Sequence, residues 1–257
     1  MSPQAAKLSL VALGGVPMIA PGDDLAESLM AALDVSSERL RDGDVLVLAQ
    51  KIVSKSEGRA VRLADVTPSP AAIDLAAQCD KDPRLVELIL SEASAVMRVR
   101  KGVLIVRHRL GLVLANAGID QSNVDQEGGP VALLLPVDPD ASAARLRTAL
   151  RARAGADVAV LIIDSLGRAW RNGTTGTAIG VSGMAGLLDL RGKPDLHGRP
   201  LETSELGLAD EIAAAASLAM GQADEGRPAV LVRGLPHPRR EGSAAELVRP
   251  AQLDLFP

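Results

Sequence analysis

Gly111-Leu112-Val113-Leu114-Ala115-Asn116-Ala117-Gly118-Ile119-Asp120-Gln121-Ser122-Asn123 begins as an apolar run and ends in small and polar side chains. Its first four residues read as a buried strand. A second apolar run, Val158-Ala159-Val160-Leu161-Ile162-Ile163, ends in Asp164-Ser165, and the basic segment Gly167-Arg168-Ala169-Trp170-Arg171 follows at once. Strands that run out into Asp, Ser and Asn deliver oxygen ligands to strand ends, where the sites of α/β proteins form. Two carboxylates suit a hard cation, and two guanidiniums suit phosphate. Together they point to metal-assisted phosphoryl chemistry.

Outward from these runs, strands and helices alternate irregularly. Residues 7–13 read as a strand, broken by Gly14-Gly15-Val16-Pro17. Asp23 or Asp24 caps a helix, with Glu27 placed as in a capping box and Leu25, Leu29 and Leu33 on one face. Residues 45–49 form a buried strand, and the polar segment 51–59 follows. Pro70 opens a helix through residue 77. Asp82-Pro83 opens another, with Leu85, Ile89 and Ala93 as its inner stripe and Leu88 beside it. Residues 103–106 and 111–114 read as strands around Arg107-His108-Arg109. After a loop at 136–139, Asp140 caps a helix that turns Leu146 and Leu150 inward. Beyond 158–163 come a Gly/Thr-rich loop at 172–177 and a strand at 178–181. An Ala-rich helix at 210–220 and a last strand at 229–232 complete the pattern. Hairpin-like pairs interrupt the alternation, so the expected fold is mixed α/β (α+β), not a clean doubly wound sheet. No repeat, linker or domain boundary stands out. Neither G-x-x-x-x-G-K-[ST] nor G-x-G-x-x-G occurs, so any nucleotide is bound without a Walker or Rossmann loop.

The bulk numbers narrow the field. At 257 residues the chain makes one large domain or two small lobes, and it is long enough to bury a full core. Aromatics are only 1% with no Tyr and one Trp, so the core is aliphatic and base stacking is excluded as a main binding mode. A formal net charge of -4 argues against a general nucleic-acid or membrane-surface binder. Cys79 stands alone, which excludes an intrachain disulfide or a cysteine metal cluster. The first ten residues lack the apolar core of a signal peptide, and no apolar stretch reaches the roughly 20 residues of a membrane span. A reduced cytoplasm is the default.

Each chemical cluster has a plainer reading beside it. An Asp at a strand end is ordinarily a cap, but Asp120 and Asp164 both follow apolar runs and have Asn123 and Ser165 close by. Mg²⁺ takes few protein carboxylates and completes its shell with water and phosphate oxygens, which two such residues satisfy. Lys51, Ser54, Lys55, Glu57 and Arg59 would be a solvated loop on charge alone. Directly after a buried strand, with Gly58 for a tight turn, Lys55 becomes a point charge for phosphate. Trp170 reads as a core anchor. Asp189, Asp195, Asp210 and Glu211 read as caps or ion-pair partners, with Asp210 capping the Ala-rich helix. Gly221 ends that helix, and Gln222 lies just beyond. His108, His197 and His237 lack metal-ligand spacing.

Five segments are similar to one family. They are Gly22-Asp23-Asp24-Leu25; Gln50-Lys51-Ile52-Val53-Ser54-Lys55-Ser56-Glu57-Gly58-Arg59; residues 115–123; Asp164-Ser165-Leu166-Gly167-Arg168-Ala169-Trp170-Arg171; and Ala209-Asp210-Glu211-Ile212 running into Met220-Gly221. The chain thereby resembles the coenzyme F420-0:L-glutamate ligases (F420:γ-glutamyl ligases), from about the first strand to Asp254-Leu255-Phe256. The resemblance implies a GTP-dependent enzyme that joins the amine of L-glutamate to a carboxylate of F420-0, releases GDP and phosphate, and adds further γ-linked glutamates. It implies two divalent ions, Mg²⁺ or Mn²⁺, assistance by K⁺, and an intertwined homodimer. Some relatives carry a further C-terminal flavin-reductase-like domain, and residues 1–257 are expected to form the ligase unit alone.

By position, Asp120 and Asp164 match ligands of the first metal, and Ser165 and Gln222 match ligands of the second. Val16, Pro17, Met18, Ile19, Gln50, Lys51, Lys55 and Asn123 match the GTP site. So do Met220, Gly221, Gln222, Ala223, Asp224, Glu225, Gly226 and Arg227. The family commonly has Thr where this chain has Ser165, and Pro where it has Ala169. Lys55, Arg168 and Arg171 are the candidate catalytic residues. The arginines would hold either the incoming carboxylate or the F420 phosphodiester. Chemically, a carboxylate is a poor electrophile, and phosphorylation would supply its leaving group. The rival readings are a metal-dependent GTP phosphohydrolase or nucleotidyl transferase, and a nucleotide-sensing binding module.

Overall fold

The computed structural model describes residues 6–124 and 126–254, so Leu255 and Phe256 of the sequence match lie outside the described residues. In chain order the elements are β1 (Ser9–Ala12), α1 (Leu25–Val35), β2 (Val45–Ala49), α2 (Gln50–Ser56), β3 (Ala60–Arg62), α3 (Pro70–Cys79) and α4 (Pro83–Glu92). There follow β4 (Ala93–Arg100), β5 (Val103–His108), β6 (Val113–Ala115), β7 (Val131–Leu133) and α5 (Pro139–Ala154). The last are β8 (Ala159–Arg168), β9 (Arg171–Ser182), β10 (Leu188–Asp189), β11 (Glu205–Leu206), α6 (Leu208–Met220) and β12 (Ala229–Arg233). The mixed α/β expectation holds.

The main sheet has the order β1-β12-β2-β8-β9. Only β2 and β8 run parallel; the other pairs are antiparallel. Both faces of its centre are covered, which is why β2 reads as the unbroken apolar run Val-Leu-Val-Leu-Ala. Leu46, Leu48, Val160 and Ile162 pack with Leu29 and Leu33 of α1 and with Leu146 and Leu150 of α5. Val45, Val47, Ala159 and Leu161 pack with Ile212, Ala213 and Ala216 of α6 on the other face. α6 can approach β9 closely because position 176 is glycine: a Cβ there would overlap the Ala213 carbonyl. A third core joins α3 and α4 to the sheet β4-β5-β6 through Ala72, Ala76, Cys79, Val86, Ile89, Leu104 and Val106.

Local signals held where the chemistry was short-range. Asp24 accepts from the Glu27 amide at 3.0 Å, and Asp82 and Ser69 cap α4 and α3 with a proline at the first position of each. Other expectations need correction. The 51–56 segment is a helix. Asp138, not Asp140, caps α5; the Asp140 carboxylate accepts from the Val181 and Ala244 amides instead, tying the helix to β9. The inner stripe of α4 is Val86 and Ile89 with Leu88, because Ala93 already belongs to β4. The Gly/Thr-rich stretch at 172–177 is not a loop but the outer half of β9. Gly207, with no side-chain cap, precedes α6, and Asp210 accepts from the Ala178 amide of β9 at 2.9 Å.

A buried carboxylate binds the third core to the rest. Glu92 sits at the end of α4, with Arg59 Nη2 at 2.8 Å, Arg109 Nε at 3.0 Å and His108 Nε2 at 3.3 Å. The same two arginines donate to the Leu135 and Val137 carbonyls. His108 Nδ1 accepts from the Leu110 amide at 3.0 Å, which leaves Nε2 facing Glu92. Burial alone would raise the Glu92 carboxyl. Hydrogen bonds from His108, Arg59 and Arg109, with the Arg59 charge, overcome it and hold it at about 2. Glu92→Gln should therefore cost roughly 2–3 kcal/mol of stability at pH 7, somewhat less than a fully buried pair because both arginines reach water. A carboxyl held low in the fold stabilises above its unfolded value and loses that contribution as pH falls. The deficit should thus be full above the ordinary value of 4.5 and vanish toward pH 2. Urea denaturation at several pH values checks this; equal stability of the two proteins at pH 7 refutes it.

Candidate active site

β2 ends at Ala49, opposite Ile163, while β8 continues to Arg168 with β9 as its only strand partner among the described residues. Asp164 is therefore not at a strand end, as the sequence suggested, but in mid-strand, one residue past the end of its neighbour. That still places it at the carboxyl end of the parallel pair, where open α/β sheets bind ligands. α2 leaves β2 at the same level. Lys51 and Lys55, four residues apart, share a face of α2 and reach one loop. Lys51 Nζ lies 2.7 Å from Asp120 Oδ2 and 2.7 Å from Ser122 Oγ. Lys55 Nζ donates to the Asn123 carbonyl at 2.7 Å.

That loop is held from both sides. Asp120 exchanges backbone hydrogen bonds with Leu133 of β7 at 3.1 and 2.8 Å. Its Oδ1 accepts from the Ser122 amide at 2.7 Å. The strand before it differs from the sequence reading. β6 spans only Val113–Ala115, with Leu114 buried and Val113 and Ala115 exposed, because β6 lies at the edge of its sheet. A single turn, with Asn116 and Ala117 at φ near +53° and +54°, separates it from Asp120.

The end of α6 supplies the other wall. Gly221 adopts φ +79° and turns the chain out of the helix, so that Gln222 meets β8. Ser165 Oγ donates to Gln222 Oε1 at 2.7 Å, and Gln222 Nε2 donates to Ser217 Oγ at 2.8 Å. Asn123 Nδ2 reaches the Ala223 carbonyl at 3.4 Å. Residues from α2, the 120–123 loop, β8 and the α6 terminus thus form one cluster.

Its electrostatics are unbalanced. Burial pushes the Asp164 carboxyl up to about 6; the Ser165 amide at 2.9 Å offsets part of this, and the Asp120 charge adds to it. Asp120 has the Lys51 ammonium and the Ser122 amide and hydroxyl, which outweigh burial and keep it low. Burial, then the Lys51 charge, lowers Lys55. Two neighbouring carboxylates, a hydroxyl and an amide oxygen make a hard, all-oxygen donor set that fits a divalent ion such as Mg²⁺. No group of three His, Cys, Asp or Glu side chains forms a richer metal cluster among the described residues. Gln50 is buried in the first turn of α2, accepts from Ser54 Oγ at 2.8 Å, and leaves its Nε2 without a hydrogen-bond partner.

Other candidates lie apart. Arg168 and Arg171 pair across the tip of the β8–β9 hairpin. Trp170 is at that tip, 87% exposed and at φ +63°, so it is no core anchor. Val16 and Ile19 pack into the core of α1 and α5, while Pro17 and Met18 are exposed. Asp224, Glu225, Gly226 and Arg227 form an exposed loop, where Glu225 accepts from the Ala223 amide. Sequence reasoning missed Ser122 and Ser217, which orient Asp120, Lys51 and Gln222. The Asp-x-Ser spacing of Asp120 and Ser122 was the available signal.

Residues 15–234 match the model of the family described as F420-0:Gamma-glutamyl ligase. The chain belongs to that family. Among similar proteins, the coenzyme F420:L-glutamate ligase of Methanothermobacter thermautotrophicus is 47% identical over 251 residues, covering 97% of this chain and 98% of that one. The Methanopyrus kandleri enzyme of the same name is 48% identical over 242 residues, covering 93% of each. That of Archaeoglobus fulgidus is 43% identical over 242 residues, covering 94% and 93%. Across this family member, the four clustered segments are the motifs that carried the sequence resemblance.

The raised Asp164 carboxyl has a measurable consequence. Its folded value near 6 exceeds the ordinary 3.8, so the folded state binds the proton more tightly and ionisation opposes folding. That cost, at most about 3 kcal/mol and less where water reaches the carboxylate, is full above pH 6 and gone below about pH 4. Asp164→Asn should raise the melting temperature of the metal-free protein at pH 8, with the gain shrinking to nothing by pH 4. A variant less stable than wild type at pH 8 would show that the carboxylate is a structural partner.

Proposed function

We propose that this protein is a GTP-dependent, amide-forming ligase that adds L-glutamate to coenzyme F420-0 and further γ-linked glutamates to the product, releasing GDP and phosphate. The observation that carries this reading is the cluster of Asp120, Asp164, Ser165 and Gln222 beside Lys51 and Lys55, in a chain of this family. The relatives are named for joining glutamate to coenzyme F420. In this proposal Asp120 and Asp164 hold one divalent ion, Mg²⁺ or Mn²⁺, and Ser165 and Gln222 a second, with K⁺ assisting. Bound there, the ions would neutralise polyphosphate charge.

The chain's own groups have definite tasks. Lys55, partly desolvated, offers a strong point charge to a phosphate, and Lys51 is held ready beside Asp120. Gln50, Asn123, the loop of Val16, Pro17, Met18 and Ile19, and the segment from Met220 through Arg227 would surround the nucleotide. Transfer of the γ-phosphoryl group to the F420-0 carboxylate would give an acyl phosphate, and attack by the glutamate amine would then release phosphate. Residues 1–257 act as one catalytic unit, without a Walker or Rossmann loop, as an intertwined homodimer in the cytoplasm. The paired carboxylates speak against a module that only senses nucleotide. A GTP phosphohydrolase would use the same site without forming an amide.

Incubation with GTP, Mg²⁺ and glutamate, with and without F420-0, separates these readings. One γ-linked amide should form for each GTP cleaved, seen by mass spectrometry. Oxygen-18 in the F420-0 carboxylate should pass to the released phosphate, because the oxygen that attacks phosphorus leaves with it. Labelled amide with wholly unlabelled phosphate would exclude the acyl phosphate. Phosphate release without F420-0 and without amide would make the protein a hydrolase.

Two variants test the residues. Asp164→Asn should lose at least about a hundredfold in turnover. Lys55→Ala should weaken GTP binding in calorimetry while the nucleotide-free protein keeps its melting temperature. Unchanged GTP affinity with a large loss of stability would make Lys55 a structural residue tied to the Asn123 carbonyl.

A further inference from the structure

A cavity of about 360 Å³ lies between the β8–β9 hairpin, the Leu112 region and α6. Its apolar walls are Leu112 and Leu166, and its polar groups are Arg168, Thr175, Thr177 and Asp210. The strand ladder fixes its orientation. Thr177 lies opposite Asp164, and Leu166 follows Ser165 directly, so one end adjoins the candidate metal ligands. Arg168 is four residues further along β8, roughly 13 Å at the rise of an extended strand, and marks the other end. Asp210 belongs to the near end. It accepts from the Ala178 amide at 2.9 Å, and Ala178 pairs with Ile163.

Asp210 is the unexplained group. It does not cap its own helix, whose N-cap is Gly207. It is half-buried, and no Lys or Arg among the described residues forms an ion pair with it. The Ala178 amide occupies its Oδ1, and burial raises the carboxyl despite that bond. A desolvated carboxylate without a counter-ion, opening on a cavity, is a receptor for a cation. The cavity thus has a negative group near the metal cluster, a positive group toward its other end, and apolar sides between them.

We propose that this cavity binds the amino-acid co-substrate as a zwitterion, with Asp210 pairing the ammonium of L-glutamate and Arg168 a carboxylate. This rests on the ligase reading. It puts the amine, the group that must attack carbon, at the end nearest Asp164, and the charge that need not react at the far end. It also assigns Arg168 to the amino acid instead of the F420 phosphodiester.

Steady-state kinetics with the full-length protein test this. Asp210→Asn keeps an oxygen for the Ala178 amide, so the β9–α6 tie survives, but it removes the charge. The KM for L-glutamate should rise roughly tenfold or more, as expected for loss of a charge-assisted bond, with the KM values for GTP and F420-0 essentially unchanged. Glutarate, which lacks the ammonium, should inhibit wild type weakly against glutamate, and Asp210→Asn should narrow that preference. Arg168→Gln, at an exposed hairpin position, should also raise the KM for glutamate, and it decides the matter if Asp210→Asn does not fold. An unchanged glutamate KM in a folded Asp210→Asn, or a rise confined to the F420-0 KM, overturns the assignment. If wild type forms no glutamyl product at all, it is the ligase reading that fails.

Discussion

Because β2 stops at Ala49, the last five residues of β8 have, among the described residues, a strand neighbour on one side only. A strand paired on both sides would have had Asp164 and Ser165 crowded by a parallel partner. Instead α2 departs from the sheet at that level and lowers two lysines toward the 120–123 loop. The apolar half of β8 anchors the strand between two helical layers, and the polar half extends beyond them. The openings at Asp164 and Ser165 and the approach of the two lysines follow from that mismatch in strand length.

Charge is distributed unevenly around this opening. Asp120 has a lysine and a serine; Asp164 has one backbone amide and a like-charged neighbour. In an ordinary surface such asymmetry would relax, because exposed side chains rotate into water. Here the carboxylates are held by strand pairing and by the Asp120–Leu133 bridge. The Glu92 cluster shows the contrasting case, where every carboxylate oxygen has a donor and the acid is held low. One acid is satisfied by its neighbours and structural; the other has a single amide donor and is held high.

Much of this was legible in the sequence. The buried strands 45–49 and 229–232 followed from apolar runs, and Asp24 and Asp82 followed from cap chemistry, because those signals act over a few residues. Asp140 and Asp210 were misread because each sits where a cap could stand, yet its partner amide belongs to β9, far along the chain. Gly and Thr at 172–177 looked like a loop because local composition cannot report that β9 is an edge strand with Gly176 under a helix. Trp170 was assigned to the core on average behaviour, and only tertiary structure shows it on a hairpin tip. Among the candidate site residues, Asp120, Asp164, Ser165, Gln222, Lys51 and Lys55 come close together in the fold. Of their supports, Ser122 is signalled only by its Asp-x-Ser spacing from Asp120, and Ser217 carries no signal of its own.

The exposed hairpin tip has an optical consequence. The chain has no tyrosine and a single tryptophan, and that indole stands 87% exposed, well away from the aliphatic cores. Its emission therefore starts out in a watery environment and has little further to shift when the chain unfolds. Tryptophan fluorescence of this protein is a poor thermometer of the fold, which must be followed by backbone signals such as far-ultraviolet dichroism. The same property makes the indole a selective reporter for whatever comes to rest against the end of β8 and β9.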